Sequence, residues 1–150
     1  MGKVLLFTDG AARGNPDGPG GYGAVLQFTD SKGQLHEKTL SAGYVRTTNN
    51  RMELTAAIEA LSALKRPCSV VLYSDSKYLI DAVEKGWAKG WRARGWVKAD
   101  KKPALNSDLW ERLLGLLEIH EVRFVWVKGH NEHPENARCD RMAVAESKKF

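Results

Sequence analysis

Short apolar runs alternate along the chain with segments whose apolar residues recur every three or four positions. Val4–Phe7 is apolar throughout, as expected of a strand covered on both faces. Tyr22–Phe28 and Leu35–Tyr44 read as two further strands, joined through the hairpin signal Asp30-Ser31-Lys32-Gly33. The first three strands therefore predict an antiparallel meander. Leu54, Ala57, Ile58, Leu61 and Leu64 follow helical spacing, with Thr48, Asn49 and Asn50 as candidate N-caps and Pro67 beyond the end. The β-branched run Ser69–Ser74 predicts a fourth strand, and Lys77–Lys85 a helix stopped near Gly86. Asn106 or Ser107 would cap a helix with the stripe Leu109, Leu113, Leu116 and Leu117. Val122–Val127 predicts a fifth strand, and Pro134 opens a last helix running to about Ser147. The order predicts an α/β fold, a mixed five-stranded sheet with helices packed on it. No repeat, low-complexity segment or linker divides the pattern, so residues 1–150 read as a single domain.

Composition narrows the class of partner. A formal charge of +5 favours a polyanion. Two cysteines, Cys68 and Cys139, form no disulfide framework and fit a reducing cytoplasm. No apolar run reaches membrane-spanning length, and Asp9 comes too early for a signal-peptide core. The expected location is cytoplasmic, with no membrane partner.

Four acids stand where acids are unusual. Asp9 and Asp75 each follow an apolar strand, and a crossover between parallel strands would make their carboxyl ends neighbours. Taken singly, Asp9 would be a turn former and Asp75 a helix N-cap. Glu53 has capping-box spacing from Asn50, yet lies on the side of Ala57 and Ala60, beside the apolar stripe. Asp140 sits mid-helix among Ala137, Ala143 and Val144, with Arg138 or Arg141 as the alternative that would draw it to solvent. Together the four propose one site. Such charges repel unless cations lie between them, and hard oxygen donors suit Mg²⁺ or Mn²⁺. Two divalent ions ~3.5–4 Å apart form a clamp for in-line displacement at phosphorus.

The stretches FTDG (Phe7–Gly10), GNP with GPGGYGA (Gly14–Ala24), TTNNRMEL (Thr47–Leu54), SDS (Ser74–Ser76), KGH (Lys128–His130) and HPEN-x-RCD (His133–Asp140) occur in that order. In this combination the chain strongly resembles ribonuclease H type 1, in its compact bacterial form, from about Val4 to Ala145. The resemblance implies a ribonuclease H-like fold and hydrolysis of the RNA strand of an RNA–DNA hybrid by two Mg²⁺ ions, with Mn²⁺ as a substitute. It implies 5′-phosphate and 3′-hydroxyl ends, a monomer, and no organic cofactor. The family's catalytic acids fall on Asp9, Glu53, Asp75 and Asp140, and its mobile-loop histidine on His130. Asp17 is an apparent insertion in the Gly-rich stretch.

His130, His133 and Cys139 lack a zinc-finger spacing. Gly18, Gly20 and Gly23 spell G-x-G-x-x-G but run into a predicted strand rather than a helix, so they are no dinucleotide fingerprint; their expected role is close approach of the loop to a ligand. Lys85 to Lys102 carries seven basic residues against Asp100, interleaved with Trp87, Trp91 and Trp96, a pattern suited to phosphates and to bases or sugars. The alternative is a solvated face with Trp87 and Trp91 buried against the core. By the resemblance this segment, with Trp87, Lys89, Trp91, Arg92 and Arg94, grips the DNA strand. Arg46 and Thr48 would hold a DNA phosphate, while Asn15, Asn49 and Glu53 would face the RNA minor groove. Helix capping is the competing role for Thr48 and Asn49.

Overall fold

A computed structural model describes residues 3–14, 17–128 and 133–150. Five strands, β1 (Lys3–Ala12), β2 (Gly18–Thr29), β3 (Leu35–Thr47), β4 (Ser69–Ser74) and β5 (Glu121–Trp126), form one sheet in the order β3-β2-β1-β4-β5. β1 to β3 are an antiparallel meander, whereas β1, β4 and β5 run parallel. The helices are α1 (Asn49–Ser62), α2 (Lys77–Glu84), α3 (Trp87–Ala93), α4 (Ser107–Ile119) and α5 (Pro134–Ser147). The α/β architecture expected from the hydrophobic pattern is present, with β1 central.

Alternation along β1 divides the core. Val4 and Leu6 join Leu54, Ile58, Leu61, Leu72, Trp110 and Leu113 in the main cluster under α1 and α4. Phe7 joins Val25 and Cys139 in a smaller cluster on the α5 side. Both sheet faces are thus covered, which explains the continuous apolar run of a central strand.

Several local expectations change. β1 does not end before Asp9: it continues to Ala12, and Asp9 pairs with Gly23. The Gly-rich stretch from Gly18 is strand β2, not a loop. A Cβ on Gly21 or Gly23 would meet the α5 carbonyls of Ala143 or Cys139 at 2.7 and 2.5 Å, so these glycines admit α5 rather than a ligand. Asn106 occupies the N-cap position of α4, but its side chain makes no cap hydrogen bond. Its amide instead donates to Tyr78 Oη at 3.2 Å and its carbonyl accepts from Arg51 at 3.2 Å.

His120, at the end of α4, is buried, and its Nδ1 accepts the Cys68 N–H at 3.1 Å. Burial lowers its pKa from 6.5. Below that value the unfolded chain takes up a proton that the folded chain resists, so this contribution to stability is lost as pH falls. Between pH 7.5 and 5 the wild type should lose more denaturant stability than His120→Asn; equal losses would remove His120 from the acid response.

Candidate active site

The last paired residues of β1 and β4 are Phe7 and Tyr73. Asp9 and Asp75 each lie two positions further along parallel neighbours, which brings the two carboxylates together. α1 delivers Glu53 because its first turn rests directly on β1: a Cβ on Gly10 would meet the Met52 carbonyl carbon at 2.5 Å and Glu53 N at 2.6 Å. Asn49 Oδ1 fastens the same junction, accepting Ala12 N–H at 2.7 Å. Carboxylate oxygens of Asp9, Glu53 and Asp75 all lie within 4.8 Å of one another. Asp140 approaches Asp9 from α5 closely enough for a side-chain hydrogen bond.

The capping roles open to these acids fall to other residues. Thr48 caps α1, its hydroxyl accepting Arg51 N–H at 3.1 Å, so Glu53 is not part of a capping box. Ser76 caps α2 by accepting Leu79 N–H at 3.1 Å, which removes that role from Asp75. Arg138 turns to Glu37 at 2.7 Å rather than to Asp140.

Electrostatics mark the group. Burial, followed by the charges of Asp75 and Asp140, raises the Asp9 pKa from 3.8 to about 8. Burial, then Asp9 and Asp75, holds Glu53 well above its ordinary range. Glu53 Oε1 is buried without a hydrogen-bond partner among the described residues. A carboxylate in that condition is costly unless it is protonated or meets a cation. Three converging hard oxygen donors fit Mg²⁺ or Mn²⁺. The arrangement is therefore suited to a divalent ion at the carboxyl edge of the sheet, where α/β folds place ligands. A groove of about 680 Å³ beside Val4, Phe28 and Cys68 lies at the other end of β1 and contains none of the four acids.

Three supporting contacts were not anticipated from the sequence. Cys139 Sγ donates to Phe7 O at 3.2 Å, and burial pushes its thiol pKa up to about 12; it is a packing group beside Asp140. Asn136 Nδ2 donates to Tyr73 O at 3.2 Å, and Trp126 Nε1 to Asp75 O at 3.3 Å, which fixes the end of β4 from both sides. The i,i+4 spacing of Asn136 and Asp140 was the available signal for the first.

The expected nucleic-acid residues divide. Trp87 is 44% exposed, with Lys85 Nζ 5.2 Å from its ring centroid. Trp91 is half-buried and packs edge-on against Trp110, centroids 6.1 Å apart, so its ring belongs mainly to the core. Lys89 and Arg94 are exposed, whereas Arg92 pairs with Glu118 at 3.1 Å and is partly committed to α4. Arg94 and Lys98 line a shallow basin of about 420 Å³ with Trp87. Arg46 is exposed and pairs with Asp17 at 2.9 Å. Asn15 and His130 lie outside the described residues.

A family model for RNase H matches residues 1–148. The chain belongs to the ribonuclease H family. That membership makes it a nuclease, a hydrolase. It is 60% identical over 146 residues to the ribonuclease H of Desulforamulus reducens, a match spanning 97% of this chain and 88% of that one. It is 55% identical over 143 residues to the ribonuclease H of Escherichia coli, covering 95% and 88%. Among solved structures, LC9-RNase H1, a type 1 RNase H with the type 2 active-site motif, superposes with a TM-score of 0.87 at 28% identity, covering 99% of this chain and 74% of that one. LC11-RNase H1, solved in complex with RNA/DNA hybrid, gives a TM-score of 0.63 at 27% identity, covering 97% of each. The ribonuclease H fold expected from the motifs is thus the fold observed.

Proposed function

We propose that residues 1–150 act as one catalytic domain, a cytoplasmic monomer that hydrolyses the RNA strand of RNA–DNA hybrids. The observation that carries this reading is the convergence of Asp9, Glu53 and Asp75 at one sheet edge, with Asp140 against Asp9. The hybrid-bound relative supports the choice of substrate.

Asp9, Glu53, Asp75 and Asp140 are the proposed holders of two Mg²⁺ ions, replaceable by Mn²⁺. Such a pair, when bound, activates the attacking water and stabilises the leaving oxygen of an in-line displacement. No organic cofactor is required. The chain's own contribution is to keep four acids converged, Asp9 and Glu53 buried and Asp75 and Asp140 partly exposed: β1 and β4 hold Asp9 and Asp75, the Gly10 contact seats Glu53, and α5 presents Asp140. His130 is the proposed proton carrier, since an imidazole exchanges protons near neutral pH. Asn15, Asn49 and Glu53 would face the RNA minor groove, where 2′-hydroxyls distinguish RNA from DNA. Arg46 and Thr48 would take a DNA phosphate; Thr48 would do so while capping α1.

Trp87, Lys89, Trp91, Arg92 and Arg94 are proposed to grip the DNA strand, with Trp87, Lys89 and Arg94 outermost. Replacing Lys89, Arg92 and Arg94 together by Ala should weaken hybrid binding and flatten its salt dependence. Each lost phosphate contact removes ~0.9 from the log–log slope. Because Glu118 already neutralises Arg92, the expected total is about 2. An unchanged slope would dismiss the patch.

Product ends test the chemistry. Hydrolysis by activated water should leave RNA fragments with 5′-phosphates and 3′-hydroxyls that a polymerase extends without phosphatase treatment. Fragments ending in 2′,3′-cyclic phosphate would show attack by the RNA's own 2′-hydroxyl, and would overturn it.

A further inference from the structure

The turn between β1 and β2 holds a carboxylate against a cation that the proposed function needs. Arg13 N–H donates to Pro19 O at 2.8 Å and closes this turn. Gly14 has φ +95°, and a Cβ there would meet the Asp17 carbonyl at 2.7 Å. Gly18 has no room for a side chain against the Arg13 carbonyl. These contacts confine Gly14 and Gly18, and Asp17 is the residue immediately before β2.

Across the ladder, Gly18 pairs with Thr47 but Gly20 pairs with Tyr44. Val45 and Arg46 together therefore face the single residue Pro19, which makes a bulge in β3. Bulges break the alternation of a strand and re-aim a side chain; both Val45 and Arg46 are exposed. Arg46 Nε donates to Asp17 Oδ2 at 2.9 Å while 78% of its side-chain surface stays open to solvent. Among the described residues Asp17 is its one ion-pair partner.

We propose that Asp17 competes internally with the DNA-strand phosphate for the Arg46 guanidinium, and so sets how tightly substrate is held. The inference rests on the functional reading above. Carboxylate and phosphate oxygens are equivalent acceptors for a guanidinium fork. An arriving phosphate meets a cation already neutralised, with a second negative charge beside it. An exposed ion pair is weak, so Asp17 yields by rotating its side chain. It tunes affinity rather than blocking the site. A turn that merely braced the hairpin would need no such effect on substrate.

The test is hybrid binding and steady-state cleavage by the wild type, Asp17→Asn, Arg46→Ala and the double variant across a series of KCl concentrations. Asp17→Asn should bind about two- to fivefold more tightly, the range of an exposed ion pair, with the gain in KM. Its log–log salt slope should steepen by up to ~0.9 as one more phosphate contact becomes effective. In the Arg46→Ala background the gain should vanish. An equal gain in both backgrounds would reduce Asp17 to a general charge effect and overturn the proposal. So would Asp17→Asn binding no more tightly than wild type, or a lowered melting temperature with no gain in affinity. Failure of the wild type to cut the hybrid would overturn the functional reading, and this inference with it. Normal cutting without the Asp17 effect would overturn this inference alone.

Discussion

Asp9→Asn is expected to lower hydrolysis of the hybrid by at least about 10²–10³-fold, the range for losing one preorganised electrostatic group, while raising the melting temperature measured in chelator. The opposite signs come from one cause. Asp9 is buried against Asp75 and Asp140, and its pKa rises from 3.8 to about 8. The folded chain therefore binds a proton that the unfolded chain releases, and stability declines as pH climbs through the window from about 3.8 to 8. An amide has no charge to desolvate or repel. The expected gain at neutral pH is about 1–3 kcal/mol, smaller than the full shift implies because Asn remains a buried polar group. At roughly 2–4 °C per kcal/mol for a chain of this size, the melting temperature should rise by several degrees. Hybrid binding should survive, because the proposed DNA grip lies elsewhere. Near-wild-type activity would remove Asp9 from the chemistry, and a lowered melting temperature in chelator would contradict the repulsion.

Gly10→Ala should damage both fold and activity. Its new Cβ would sit 2.5 Å from the Met52 backbone carbon and 2.6 Å from Glu53 N. Backbone cannot rotate aside, so α1 must move by nearly 1 Å. Overpacking of this kind costs about 1–3 kcal/mol, and a misplacement of about 1 Å in catalytic geometry can cost ~10²-fold. The exposed Gly115 of α4 has nothing within 4 Å of an added Cβ. Gly115→Ala should therefore be neutral, or stabilising by up to about 1 kcal/mol from helix propensity. Circular dichroism melts and cleavage at a temperature where all proteins are folded would check the pair. Full activity in Gly10→Ala would mean that Glu53 does not depend on this contact.

Much of the fold was legible in periodicity. Ser69–Ser74 and Pro134–Ser147 form with the expected bounds, because a β-branched run and a proline-started helix leave little local ambiguity. The neighbouring positions of Asp9 and Asp75 also followed from the parallel crossover. The extent of β1 was less legible, since Asp9, Gly10 and Ala11 interrupt the apolar pattern while their backbone continues to pair with Gly23, Tyr22 and Gly21. Glycine disfavours strands locally, so Gly18–Gly21 read as a loop ahead of the strand expected from Tyr22. Its purpose appears only once α5 is in place against Gly21 and Gly23. Trp91 could be assigned between core and ligand surface only with α4 present, and the pairing of Arg92 with Glu118 spans twenty-six positions that no local pattern connects. The four acids were legible as a group because their residue type conflicted with their settings. The contacts that hold them, Gly10 on α1 and Trp126 on Asp75, arise only in three dimensions.

The central claim is that these carboxylates serve a nuclease directed at the RNA of a hybrid. It is tested most directly by incubating the purified protein and Mg²⁺ with RNA–DNA, RNA–RNA and DNA–DNA duplexes, each strand labelled in turn. The expected result is cleavage of the RNA strand of the hybrid alone, abolished by chelator. Cleavage of DNA–DNA, or no cleavage of the hybrid, would contradict it.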